Sequence, residues 1–126
     1  MPDPIDVVAA VIEQDELFLA CRRAPGRSAG GKWEFPGGKV EPGESPEEAL
    51  VREIREELSV EILVTGHLTS DVTGPIRLIC LRARLEGEAP ATSTDHDELR
   101  WVDHATMRDL DWADADLPAV RLLSSR

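Results

Sequence analysis

Val7, Val8, Ala9, Ala10, Val11 and Ile12 form an unbroken apolar run. A strand with water on one face alternates apolar and polar side chains, so a run without alternation belongs to a strand covered on both faces. Such a strand requires a sheet with helices packed against each side, and the rest of the chain must supply them. The β-leaning stretch covers Ile5 to Glu13, and a second, Glu16 to Arg22, follows after Gln14 and Asp15. The pair reads as a hairpin. From Ala24 to Lys32, Gly, Pro and Ser dominate and predict a loop.

Ser45-Pro46-Glu47-Glu48 opens the strongest helix in the chain. Ser45 is suited to the N-cap, Pro46 to the first helical position, and Glu48 completes a capping box. Leu50, Val51, Ile54 and Leu58 recur at helical intervals and predict a buried stripe on a helix ending near Leu58. Further strands are expected over Glu61 to Ser70, Pro75 to Leu85 and Leu99 to Val102, and helices over Ala105 to Leu110 and Leu117 to Leu123. This order predicts an α/β fold, a three-layer α/β/α sandwich with a mixed β-sheet. With 126 residues, 41% of them apolar, residues 1–126 suit one domain.

No stretch reaches the roughly 18 apolar residues of a membrane span, and Met1-Pro2-Asp3-Pro4 lacks the basic start of a signal peptide. A cytoplasmic protein without membrane partners is expected. Cys21 and Cys80 each lie in apolar runs, where small buried thiols are expected rather than a disulfide. The chain carries 25 acidic and 14 basic residues, a net charge of -11. That balance repels nucleic-acid polymers, so an anionic ligand would need a divalent cation or a local basic cluster.

The acids are concentrated. Helical spacing puts Glu53, Glu56 and Glu57 within an arc of about 100°, away from the core stripe. Like charges at these spacings destabilise a helix by roughly 0.2 to 0.5 kcal/mol each, so folding alone does not favour the cluster. Glu44 lies one turn before the helix, and Gly37-Gly38 can bring a bare backbone carbonyl to the same place. Oxygen ligands without soft donors suit Mg²⁺ or Mn²⁺ rather than zinc.

Gly38, Glu44, Arg52, Glu53, Ile54, Glu56, Glu57, Ser59 and Val60, at their spacing in this chain, resemble the Nudix box. The family usually carries glycine where Ser59 stands, which implies a left-handed turn at the helix end. The resemblance implies a Nudix fold and an Mg²⁺-dependent pyrophosphohydrolase. It implies that Glu53, Glu56 and Glu57 are metal ligands with the Gly37 or Gly38 carbonyl, that Glu44 orients metal or water, and that Arg52 positions the glutamates. Glu53 is the expected base, with Glu56 and Asp95 behind it, although the run Asp95 to Glu98 also reads as a solvated loop.

Arg23 and Lys39 match phosphate-contacting positions of MutT-like members, while Arg23 also reads as a strand-end charge reaching water. The segment Gly31 to Lys39 resembles the MutT and CTP pyrophosphohydrolase branches. This places Phe35 beside the base, although an aromatic next to proline also reads as core. Asp116 stands where guanine-reading relatives carry Asn. An ionised Asp only accepts hydrogen bonds and suits cytosine N4, but Asp116 also reads as a helix N-cap.

The implied reaction takes CTP, dCTP or 5-substituted dCTP to the monophosphate and pyrophosphate, with 8-oxo-dGTP as the alternative. ADP-ribose and nucleotide-sugar hydrolases of the family are usually longer. A non-catalytic sensor would be expected to lack box glutamates. A monomer and a homodimer are both expected possibilities.

Overall fold

The computed structural model describes residues 3–125, so Met1, Pro2 and Arg126, including the start of the segment read as lacking a signal, lie outside the described residues. The strands are β1 (Ile5–Gln14), β2 (Leu17–Arg23), β3 (Trp33–Glu34), β4 (Gly37–Lys39), β5 (Ile62–Thr73), β6 (Ile76–Leu85) and β7 (His96–Val102). The helices are α1 (Pro46–Leu58), α2 (His104–Met107) and α3 (Leu117–Ser124), the last preceded by a 3-10 turn at Asp114–Asp116.

β1 is covered on both faces, as its composition requires. Val8, Ala10 and Ile12 pack with Leu19, Leu50, Ile54 and Leu58 on the α1 side. Ala9 and Val11 face the other way, onto Phe18, Phe35, Met107, Val120 and Leu123. Each fully buried aliphatic side chain contributes about 1.5 to 3 kcal/mol, so this double coverage anchors the sandwich. The sheet order is β3-β2-β1-β6-β5, with β4 also pairing β1 and β7 pairing β2. β1 and β6 are parallel, with Val8 opposite Ile79, while the other pairings are antiparallel, so the sheet is mixed. Cys21 and Cys80 are free thiols in opposite layers of the core.

Several boundaries differ from expectation. The hairpin turn is Asp15-Glu16, one residue later than expected, because Gln14 pairs with Leu17 and both turn residues take positive φ. β7 starts at His96 rather than Leu99, turning most of the expected acidic loop into a strand. α2 ends at Met107 instead of reaching Leu110. Beyond it the chain tightens, with Asp109 N donating to Thr106 O at 3.0 Å and Leu110 N to Met107 O at 3.3 Å. β3 and β4 were not expected, since two or three residues in a Gly- and Pro-rich stretch carry no readable alternation.

α1 matches its prediction from Pro46 to Leu58. Ser45 Oγ accepts from Glu48 N at 3.1 Å, and Glu48 Oε1 accepts from Ser45 N at 2.9 Å. Ser59 takes the left-handed conformation expected of the helix end, with φ 57° and ψ 33°. This conformation costs a residue with a Cβ about 1 kcal/mol or more. Ser59→Gly should therefore stabilise the protein by about 0.5 to 1 kcal/mol in urea unfolding; unchanged or lower stability would contradict a strained helix end.

Candidate active site

The capping box sets the angle at which α1 leaves its loop, and the buried stripe sets its rotation. Together they aim Arg52 at a cluster of carboxylates. Arg52 Nε donates to Glu44 Oε2 at 2.7 Å and Nη2 to Glu44 Oε1 at 2.9 Å, a bidentate pair. Its Nη1 lies 2.9 Å from both Glu53 Oε1 and Glu56 Oε1, and Nη2 also reaches the Lys39 carbonyl at 3.1 Å. Glu44 is tied further by Glu41 N at 2.9 Å. The Arg52 hydrogen bonds, followed by the Glu41 amide, pull the Glu44 pKa down to about 2. Arg52 is pushed further above its ordinary value, first by Glu44. Arg52 thus joins Glu44, Glu53 and Glu56 in one hydrogen-bonded group.

The two glycines before the box permit close approach. A Cβ on Gly37 would lie 1.9 Å from the Val8 carbonyl oxygen, within the β4–β1 pairing. A Cβ on Gly38 would lie 2.4 Å from the Glu53 carboxyl carbon. The Glu53 carboxyl is therefore packed directly on the Gly38 backbone.

Glu57 departs from the expected water-facing arc. It is only 5% exposed, because it stands about 60° around the helix from the buried Ile54. Burial first, then the adjacent Asp95 carboxyl, then the charges of Glu53 and Glu34, push its pKa up to about 9. Its Oε2 is buried without a hydrogen-bond partner. Thr94 N donates to the Glu57 carbonyl at 3.1 Å, which brings Asp95 to this end of α1. Asp95 also pairs with Arg27 at 3.0 Å.

A cleft of about 320 Å³ begins beside this cluster, lined by Gly37, Gly38, Arg23, Glu34, Phe35, Ala113, Ala115 and Asp116, among others. Arg23 does not simply reach into water. Its Nη1 donates to Glu34 Oε1 at 2.8 Å and its Nε donates to the Ser28 carbonyl. Phe35 is both core and lining: it is 2% exposed and packs in a tilted arrangement against Trp112 with ring centroids 4.8 Å apart. Lys39 is exposed and outside the cleft lining.

Asp116 occupies the N-cap position of α3 but makes no side-chain cap bond. Its Oδ1 instead accepts from Phe35 N at 3.0 Å. Burial pushes its pKa up to about 8, against the opposing Phe35 amide. Sequence reasoning missed Glu34 and His96, which meet at 2.8 Å beside the cleft. The placement of His96 depends on the β7–β2 register, with no local motif to announce it.

The NUDIX domain model matches residues 3–123. The chain belongs to the Nudix family. It is similar to the CTP pyrophosphohydrolase of Escherichia coli K12, 40% identical over 92% of this chain and 88% of that protein. A Mycobacterium tuberculosis protein provisionally named 8-oxo-dGTP diphosphatase 2 is 38% identical over 92% of this chain and 84% of that protein. Among solved structures, MutT of methicillin-resistant Staphylococcus aureus is 35% identical, with TM-score 0.77, covering 99% of this chain and 98% of that one. The MutT structure from work on Aliivibrio salmonicida and Vibrio cholerae is 28% identical, with TM-score 0.81 and 98% of each chain covered. This Nudix hydrolase is thus a pyrophosphohydrolase acting on nucleotides, in a family that generally depends on divalent metal. No helix among the described residues is long and apolar enough to cross a membrane.

The residues fit such an ion. The donors are oxygens, the buried Glu57 Oε2 lacks a partner, and Gly38 leaves room for the Glu53 carboxyl. Among the described residues no three ligating side chains already form a closed cage, and Glu53 and Glu56 rest on Arg52.

The two glycines separate packing from chemistry. Gly37→Ala should destabilise the fold by about 3 kcal/mol, because backbone must yield. Gly38→Ala should unfold normally yet lose at least about 10²-fold in turnover, because only the Glu53 side chain yields. Thermal unfolding and nucleotide hydrolysis distinguish these outcomes, and full activity in Gly38→Ala would contradict the placement of Glu53.

Proposed function

We propose that this enzyme hydrolyses CTP, dCTP or a 5-substituted dCTP to the monophosphate and pyrophosphate, using Mg²⁺ with Mn²⁺ as a substitute. The carrying observation is the buried Asp116 carboxyl, in a cleft that is also lined by Gly38, whose backbone touches Glu53. Asp116 is not the ionised acceptor expected from its residue type, because a pKa of about 8 leaves it mainly protonated at neutral pH. A protonated carboxyl offers one donor and one acceptor. Cytosine N3 and its N4 amine present the complementary pair. The similarity to the E. coli CTP pyrophosphohydrolase supports the same base.

Asp116 also favours a second reading, 8-oxo-dGTP. Its protonated carboxyl complements the O6 acceptor and N1–H donor of that base, and the M. tuberculosis relative supports this reading.

Glu53, Glu56, Glu57 and the Gly37 or Gly38 carbonyl would hold the divalent ion, which would supply neutralisation of polyphosphate charge and acidification of water. Arg52 keeps Glu44, Glu53 and Glu56 aligned, and Asp95 stands beside Glu57 as a further carboxylate. Glu53 takes the proton of the attacking water at its carboxylate. The water oxygen bonds to the β-phosphorus, the bond to the α,β-bridging oxygen breaks, and the monophosphate leaves with that oxygen. Arg23 and Lys39 hold phosphate oxygens, and Phe35 packs beside the base.

Incubation with CTP, dCTP, 5-methyl-dCTP, dGTP, 8-oxo-dGTP and ADP-ribose should give highest kcat/KM on a cytosine nucleotide, releasing pyrophosphate. Preference for 8-oxo-dGTP would move the assignment to the second reading, and orthophosphate would overturn the site of attack. Glu53→Gln should fold normally and lose about 10² to 10⁴-fold in kcat; an unchanged rate would remove Glu53 as base.

The raised Asp116 pKa also gives a pH dependence. The proton is held below about pH 8 and lost above it, so kcat/KM for CTP should fall as pH rises through that value. Asp116→Asn, which cannot ionise, should lack this decline, whereas persistence of the decline in the variant would assign it to another group.

A further inference from the structure

We infer that His96 is a positioning residue for the nucleotide cleft, fixing the Arg23 guanidinium through Glu34; this rests on the reading of Arg23 as a phosphate contact. The His96 side chain is 0% exposed. It lies outside the cleft lining, whereas Glu34 and Arg23 are both part of it. Strand pairing puts His96 opposite Arg23, at a register shift between Arg22 and Arg23.

Both ring nitrogens are engaged, and the partners assign their roles. Nε2 lies 2.8 Å from Glu34 Oε2 and donates to that carboxylate. Nδ1 lies 2.7 Å from Ser93 Oγ. Because Ser93 Oγ accepts from Asp95 N at 3.2 Å, its own hydrogen is free to be donated to Nδ1. The remaining Glu34 oxygen, Oε1, accepts from Arg23 Nη1 at 2.8 Å. A continuous chain of hydrogen bonds thus runs from the Asp95 backbone through Ser93, His96 and Glu34 to Arg23.

The chain has a directional consequence. Glu34 is a two-oxygen clamp: one oxygen is held from behind by His96, and the other sets the angle of Arg23. Without the His96 donor, Oε2 loses its partner, the carboxylate rotates, and Arg23 no longer holds one direction across the cleft. A histidine buried only for packing would leave Arg23 unaffected. The positioning role predicts that the two residues act on nucleotide binding as one unit.

The test combines calorimetric Kd values, for α,β-methylene-CTP and α,β-methylene-dGTP with Mg²⁺, with KM and kcat on CTP. Arg23→Ala and His96→Leu should each weaken binding and raise KM about tenfold, with kcat changed less than about threefold. The double variant should bind no more weakly than Arg23→Ala alone. His96→Gln, whose amide nitrogen can still donate to Glu34, should recover most of the affinity. Additive losses in the double variant, or equal damage from His96→Gln and His96→Leu, would overturn the inference alone. Unchanged Kd and KM in Arg23→Ala would overturn the phosphate contact beneath it. Should His96→Leu fail to fold, His96→Asn, whose shorter amide leaves Glu34 without its donor, should bind about tenfold more weakly than His96→Gln, and equal affinities would contradict the role.

Discussion

Arg52 holds together a group of charges that would otherwise repel one another. Its guanidinium binds Glu44 through two nitrogens and places a third between Glu53 and Glu56. Arg52 and Glu53 are largely covered, with side-chain exposures of 24% and 19%, whereas Glu56 is 55% exposed. The same guanidinium therefore sets the direction of the covered Glu53 carboxylate and of the more exposed Glu56. Glu57, on the inner side, has no such partner and retains a buried unsatisfied oxygen. Burial of that kind costs about 1 to 3 kcal/mol in a protein that only needs to fold, a cost that a bound cation would offset.

The sheet gives this helix its counterpart. Because β1 is buried on both faces, it can receive α1 on one side while Phe35, Trp112 and α3 pack on the other. β4 lies against the start of β1, with Gly37 close to the Val8 carbonyl, and carries Gly38 to the Glu53 carboxyl. Asp116 and Arg23 border the same cleft from the opposite layer and from β2. One strand thus links the carboxylate cluster to the cleft.

What could be read from the sequence follows the range of each interaction. α1 was legible end to end because Ser45, Pro46, Glu48 and the stripe through Leu58 are local signals, and even the left-handed Ser59 followed from the residue type expected there. β3 and β4 were not, since their strand character comes from partners rather than composition. The helical wheel grouped Glu57 with Glu53 and Glu56, but it could not place the edge of the core, which covers Glu57 beside the half-buried Asp95. Asp116 was found by position, while its proton depends on a burial that no local pattern reports. The His96–Glu34 contact spans 62 residues and exists only once β7 pairs with β2.

The account depends on hard cations being held by the carboxylates of α1, and the direct measurement is CTP hydrolysis in excess EDTA followed by titration with Mg²⁺. The account predicts no turnover under chelation and recovery that saturates with added Mg²⁺. Hydrolysis that continues undiminished in excess EDTA would contradict it.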